Sequence, residues 1–488
     1  MKYFNTFILL LIIVLSSCTA PAGEITLLHW NDFHSRNLPW VPTSYNPGNH
    51  SVGGYALFDA YLDSLQREYP GALRVHAGDD FQGSPVCAVT KGVSQIKILN
   101  LVKPDFFTIG NHEFDYGWHH VDSLRRHLAE FEMYAANLVD AESGESALPQ
   151  YKIFRINRYP VVLIGLTHPQ LDFLTMAKNL EGIQVADPVS SIQDLIDNLK
   201  KRGLHTFVVV SHMGIDLDRE LAKTVPEIDL IVGGHSHTYM REAENVNGVW
   251  IVQADDSGRY VGVTRFKAEK GNIVSLEMQY IETIAGKLRP SPDVEALIMR
   301  YEDAMTEIMD EEIAYLQTAW TRSGGESNIG NWITDAFRAT VPGTDIAIMN
   351  NGGIRKDLPS GTLRVRDVWE IAPFGNMLVC FEWSGRELQQ ALHNMALKNR
   401  SLQFSGIHLL LDRSKGLIEA EINGSKIDPE KTYSIITNDY TAGQAPNYFG
   451  MEIPAYQELG LVDRDVLVEA ARKQKTIHVQ IEGRIRYR

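Results

Sequence analysis

Residues 105–115 read DFFTIGNHEFD. An apolar run of strand type ends at Ile109, and Asn111, His112, Glu113 and Asp115 follow at once on one short turn. All four are groups that bind metals or move protons. The layout recurs in ITLLHWNDFH (25–34), LRVHAGDD (73–80), TFVVVSHMG (206–214) and IDLIVGGHSH (228–237). In an open α/β sheet, sites form outside the carboxyl ends of strands, so five such strands can deliver Asp32, His34, Asp79, Asn111, His112, His212, His235 and His237 to one cleft. A lone histidine after a strand is usually structural, and Asp beside Gly is common turn chemistry. Five matches on one chain are not explained that way. Gly78, Gly110, Gly214, Gly233 and Gly234 beside them let the backbone approach a crowded centre.

The surrounding chain supports an α/β fold. Short runs of Val, Ile, Leu and Phe alternate with amphipathic stretches such as YALFDAYLDSLQREY (55–69) and SSIQDLIDNLKKRG (190–203), which places helices outside a sheet over residues 24–288. From Ser291 the pattern changes. Ser291 can cap, Pro292 suits the first helical position, and Val294, Leu297, Ile298, Tyr301, Met305 and Ile308 recur at helical spacing, so a linking helix is expected over 291–316. Strand-like runs around 344–355, 377–385, 406–412 and 432–440, with a helix starting near Ser384, make residues 317–488 a second α/β or α+β domain. No repeat or low-complexity tract interrupts this order.

Length and composition set outer limits. The chain has 488 residues, 44% of them hydrophobic, enough for two cores. A formal charge of -15 argues against a nucleic-acid polymer as partner, since phosphate backbones need a broad basic face. The opening MKYFNTFILLLIIVLSSC has an apolar run from Phe7 to Leu15, too short to span a bilayer, and reads as an export signal. Cys87 and Cys380 fall in different domains and are expected to be buried free thiols.

Carboxylate, imidazole and amide ligands together suit Zn²⁺, Mn²⁺ or Fe and are too rich in nitrogen for a dedicated Ca²⁺ or Mg²⁺ cage. Asp32, His34, Asp79, Asn111, His212, His235 and His237 exceed what one tetrahedral ion takes. Two ions sharing Asp79, roughly 3.5–4 Å apart, is the economical arrangement.

These segments carry a family resemblance. NDFH, GDDFQG, GNHEFD, SHMG and GGHSH resemble the ordered motifs of calcineurin-like metallophosphoesterases, and the downstream half resembles the C-terminal domain of 5'-nucleotidases, among them UDP-sugar hydrolase-like lipoproteins. The resemblance implies an N-terminal α/β/β/α sandwich, a linking helix and a C-terminal substrate-binding domain. It also implies that Asp32, His34 and His237 hold one divalent ion, Asn111, His212 and His235 the other, and Asp79 both. Zn²⁺ or Mn²⁺ is the expected pair, with Mg²⁺, Co²⁺ or Fe as alternatives. His112 would be the catalytic histidine, Asp115 its orienting carboxylate, and Glu113 structural. His168, which also follows an apolar run, stays unassigned.

In the second half the resemblance rests on ESNIGNWITDAFR, NNGGIRKDLPSG and APFGN. It implies that Arg355 meets the phosphate, Asn350 lies near a base, and Phe374 and Tyr440 sandwich that base. Gln444, Ala445 and Pro446 stand where the family has a Gly-Gly-Asp that holds the ribose hydroxyls, and Ser323, next to Arg322, stands where it has a second arginine. The expected activity is therefore an exported two-metal phosphohydrolase acting on 5'-nucleotides or related phosphate esters by metal-activated hydroxide attack. Alternatives are a 2',3'-cyclic-nucleotide phosphodiesterase or nucleotide-sugar hydrolase and, in another class, a non-catalytic nucleoside-binding surface lipoprotein. LSSC resembles a lipobox, which implies a signal over residues 1–18, lipidation of Cys18 and a place in the cell envelope or periplasm on a bacterial membrane.

Overall fold

The computed structural model describes residues 23–42, 46–156, 158–269, 272–322, 325–453 and 455–488. The signal and lipidation expectations for residues 1–18, and Ser323, lie outside the described residues. The first domain is built on two six-stranded sheets. One runs, in spatial order, through residues 272–282, 260–269, 24–30, 73–76, 106–108 and 133–134, the last four strands mutually parallel. The other runs through 244–246, 249–252, 230–232, 207–211, 159–166 and 151–156, parallel from 249–252 to 159–166.

Strand alternation sets the layers. Ile25 and Leu27 face inward with Val75, Leu163, Val208, Val210 and Leu230, forming an apolar seam between the sheets. Leu28 and Trp30 point the other way and pack under the helix Tyr55–Glu68. On the far side, Ile192, Ile196 and Leu199 recur at helical spacing along Pro188–Lys201 and cover Val162, Ile164 and Val209. Each buried aliphatic side chain of this kind contributes about 1.5–3 kcal/mol. The result is the expected α/β/β/α sandwich, with its parallel strands all ending on the same edge.

The linking helix is shorter than the sequence suggests. It runs Pro292–Met309, and Glu312–Leu316 is a strand paired with Gly361–Arg364 and Thr476–Ile477. The alternation in EIAYL, with Ile313 and Leu316 buried, wins over continued helix once a sheet is there to pair with. Ser291 occupies the N-cap position without a side-chain cap bond; its hydroxyl instead serves Asp59. The helix belongs to both halves: Val294 and Ile298 enter the first core and Met309 the second.

The second domain carries a five-stranded sheet in the order 402–405, 346–350, 432–438, 377–384, 457–462. The helix Gly385–Leu397 starts where expected, because Ser384 and Glu387 form a reciprocal capping box worth about 1 kcal/mol. Arg366 ties this domain to the linking helix through Glu302 at 3.0 Å and Asp310 at 2.6 Å. Cys87 is buried as a free thiol, its pKa pushed up to about 12 by burial. Cys380 is also free but only half-buried, because its strand neighbour on one side is the start of the edge strand Gln457–Val462.

Candidate functional site

Five strand ends converge. Strands 24–30, 73–76 and 106–108 of one sheet and 207–211 and 230–232 of the other release their chains at the same edge, carrying Asp32 and His34, Asp79, Asn111 and His112, His212, and His235 and His237. Potential ligand atoms group as Asp32, His34 and His237; as Asp79, His212 and His235; and as His34, Asp79 and His112, each set within 4.8 Å. Asn111 joins through Oδ1, 2.8 Å from His235 Nδ1. Asp79 is common to two of the sets.

The backbone accepts unfavourable conformations to achieve this. Asp32, His34, Asp79, His235 and His237 all have positive φ, between 50° and 72°. Non-glycine residues there cost on the order of 1–3 kcal/mol each and persist only where the surroundings hold them. Glu113 is a large part of what holds them. Its buried carboxylate accepts backbone N–H groups from Gly110 at 2.7 Å, Asp79 at 3.1 Å, Asp80 at 2.7 Å and Phe81 at 3.1 Å, stitching two ligand-bearing turns together. Burial, with the neighbouring Asp79 charge, pushes its pKa up to about 7. Gly110 permits the fit, since a Cβ there would lie 2.3 Å from Asp79 Oδ1.

The donor set fits divalent metal ions. His212 Nδ1 donates to the Ala77 carbonyl at 2.6 Å, which in the neutral imidazole leaves Nε2 as a lone pair. That Nε2 is buried, has no hydrogen-bond partner, and lies 3.0 Å from Asp79 Oδ2. Positive charge is needed between them, as a proton on Nε2, which against burial Asp79 favours by raising the His212 pKa to about 9, or as a metal ion in its place. His34 Nε2 and His237 Nε2 lie 3.0 Å apart, a distance that needs a proton on one of them or an ion between them, and Asp32 Oδ1 is 3.4 Å from His237 Nε2. Asp32 is oriented by Asn31 Nδ2 at 2.6 Å and by the His235 N–H at 2.8 Å.

His112 has its own arrangement. Asp115 Oδ2 holds Nδ1 at 2.9 Å, and the His112 N–H donates to Asp79 Oδ1 at 2.8 Å. Burial works against a charged imidazole, but Asp115 and Asp79 outweigh it and the pKa is raised.

Residues of the second domain reach this cleft in part. A cavity of about 310 Å³ is lined by Asp79, Asn111, His112, His235, Ser236, His237 and Arg355. Phe374 stacks on His112 with centroids 5.7 Å apart, and the Arg355 guanidinium lies 5.9 Å from the Phe374 ring. The other two expected substrate residues are engaged elsewhere. Asn350 is buried, its Oδ1 accepting from Asn438 at 3.4 Å and Thr441 at 3.2 Å. The Tyr440 hydroxyl donates to the Phe173 carbonyl of the first domain at 3.0 Å.

Two residues not singled out by sequence also belong to the site's surroundings. Asp256 Oδ2 lies 3.5 Å from His237 Nδ1, the carboxylate–histidine pairing that raises ligand basicity. Its signal is present in the sequence: DDSG (255–258) follows the strand Val249–Val252 in the layout of the other five segments. Asn31 carries no such signal. Gln444, marked in the sequence only as a departure from the family pattern, donates through Nε2 to the Asp172 carbonyl at 2.9 Å.

Comparison with known proteins agrees with this geometry. The family model of calcineurin-like phosphoesterases matches residues 25–239, and that of the 5'-nucleotidase C-terminal domain matches residues 306–451. Endonuclease YhcR of Bacillus subtilis (strain 168) is 29% identical over 92% of this chain, which spans only 39% of that relative's length. The 5'-nucleotidase of Rattus norvegicus is 26% identical over 96% of this chain and 91% of its own. The crystal structure of a 5'-nucleotidase precursor from Thermus thermophilus superposes with a TM-score of 0.87 at 25% identity, covering 95% of this chain and 99% of that one.

Proposed function

We propose that this chain, which belongs to the 5'-nucleotidase family and is a metal-dependent phosphoric ester hydrolase, is exported and removes phosphate from 5'-nucleotides or closely related phosphate esters. The observation that carries this reading is the position of Arg355. It lines one cavity with Asp79, Asn111, His112, His235 and His237, so a phosphate placed there meets the ligand-bearing turns of one domain and a guanidinium of the other.

In this reading Asp32, His34 and His237 would hold one divalent ion, Asn111, His212 and His235 would hold the second, and Asp79 would serve both. When bound, such a pair supplies Lewis-acid charge and acidifies a water for attack on phosphorus. The chain's own groups do the rest. Asp115 fixes the His112 ring by its Nδ1–H, which leaves Nε2–H of the imidazolium free to donate to a phosphoryl oxygen or to the departing alkoxide. Arg355 pairs with phosphate oxygens, and Phe374 covers the face of His112. Asn350 and Tyr440 are held by protein partners, Asn438 with Thr441 and the Phe173 carbonyl, and would reach a nucleoside only if those bonds broke.

Product analysis for orthophosphate, nucleotides and sugar phosphates tests this with the protein lacking residues 1–18, across nucleoside monophosphates, a 2',3'-cyclic nucleotide, a nucleotide sugar and a non-nucleotide ester, with Zn²⁺ or Mn²⁺ and with His112→Ala in parallel. Release from nucleoside monophosphates that the variant loses supports the reading. Hydrolysis of only another ester overturns the substrate and keeps the chemistry. Export rests on the sequence of residues 1–18, with Cys18 as the lipidated residue; among the described residues no helix is long and apolar enough to cross a membrane. Cys18→Ser should abolish incorporation of labelled lipid, and unchanged labelling would remove Cys18 from that role.

A further inference from the structure

Residues 168–179 lie outside both the ligand set and the substrate residues, yet they touch each part of the site. The segment begins at His168, just past the strand Tyr159–Leu166, which runs parallel to the strand that carries His212. His168 is buried, and its Nδ1 accepts the Gln170 N–H at 3.1 Å. That bond fixes the ring and, in the neutral imidazole, leaves the proton on Nε2, so His168 is not set up as a metal ligand. Its ring lies against His235, with centroids 4.6 Å apart and planes at 50°, and His235 meets the His212 ring edge-on at 5.3 Å.

Further along, the second domain holds the same segment. Gln444 Nε2 donates to the Asp172 carbonyl at 2.9 Å and the Tyr440 hydroxyl to the Phe173 carbonyl at 3.0 Å. Beyond them, Asn179 Nδ2 donates to the backbone carbonyl of Asp115 at 3.0 Å. One short stretch thus packs on a metal-ligand candidate, bonds the residue that orients His112, and is gripped by the other domain.

We propose that residues 168–179 couple engagement of the second domain to metal binding, with His168 as the positioning residue that sets the ring of His235; this rests on the two-ion reading above. The contact is a wall. Without it the His235 imidazole gains freedom about its side-chain torsions, and a ligand held less firmly binds its ion less tightly. Gln444 acts at the other end by keeping the segment in place. This gives the amide at position 444 a use that does not involve ribose.

The test is calorimetric titration of the metal-stripped two-domain protein with Zn²⁺ or Mn²⁺, with metal content measured after dialysis and folding checked by circular dichroism. Wild type should take up two ions. His168→Ala should weaken one of them by about 10- to 100-fold, whereas His168→Phe, which restores a ring without nitrogens, should stay close to wild type. Gln444→Ala should weaken the same ion by a smaller factor. A His168→Phe protein as weak as His168→Ala would make a nitrogen of His168 essential and overturn the positioning role. Gln444→Ala indistinguishable from wild type would overturn the coupling. Wild type that takes up no ion would overturn the two-ion reading, and this proposal with it.

Discussion

Five of the metal-ligand candidates in the first domain, Asp32, His34, Asp79, His235 and His237, sit at positive φ on turns that end strands, whereas Asn350, Arg355, Phe374 and Tyr440 of the second domain do not. The contrast follows from what each group has to do. Ligands of closely spaced ions must converge within a few ångströms, so the backbone is bent into strained turns and braced by Glu113 and by bonds such as the Asp32 N–H to the Gly78 carbonyl at 2.9 Å. The candidate substrate residues have no such demand. They sit in relaxed backbone, and Asn350 and Tyr440 have protein partners.

If that comparison is right, substitutions in the first domain should be the more damaging. Asp79→Ala should reduce phosphate release on the order of 10⁴-fold and lower metal content, and a chelator should do the same reversibly; retained activity with fewer ions would break the comparison at its strongest point. His112→Ala should lower kcat by about 10²- to 10⁴-fold with both ions still bound, as measured by metal analysis beside steady-state kinetics. Glu113→Gln turns an amide toward backbone donors that now meet a carboxylate, and should cost on the order of 2–4 kcal/mol of stability, read by denaturant unfolding. A neutral result would show that other contacts hold the turns.

Smaller effects should mark the second domain. Arg355→Ala should reduce kcat/KM by about 10- to 100-fold, with unchanged metal content; a loss as large as that of Asp79→Ala would place Arg355 among the groups the chemistry cannot do without. Asn350→Ala should cost about 1 kcal/mol of stability through its bonds to Asn438 and Thr441 and leave activity per folded molecule close to wild type. A large rise in KM instead would show that Asn350 changes partners when substrate binds.

The same contrast explains what is legible in the sequence. Asp, His and Asn directly after apolar runs have few reasons to recur five times, so the ligand-bearing segments stand out. Arg, Phe, Tyr and Asn after strands have many ordinary uses, and nothing local separates Phe374, which reaches His112, from Tyr440, which reaches Phe173. The end of the linking helix is hidden for a related reason: EIAYL reads as helix or strand until the partners Gly361–Arg364 and Thr476–Ile477 are present to pair with it.

By itself the sequence determined the alternating α/β plan, the division into two domains and the residue types at the strand ends, because periodicity and ligand chemistry are local properties. Only the tertiary structure decided that Glu113 braces two turns, that Asp256 backs His237, and that Gln444 bonds the Asp172 carbonyl. Those are contacts between residues far apart in the chain, and their identity depends on which surfaces the packed sheets and the second domain bring face to face.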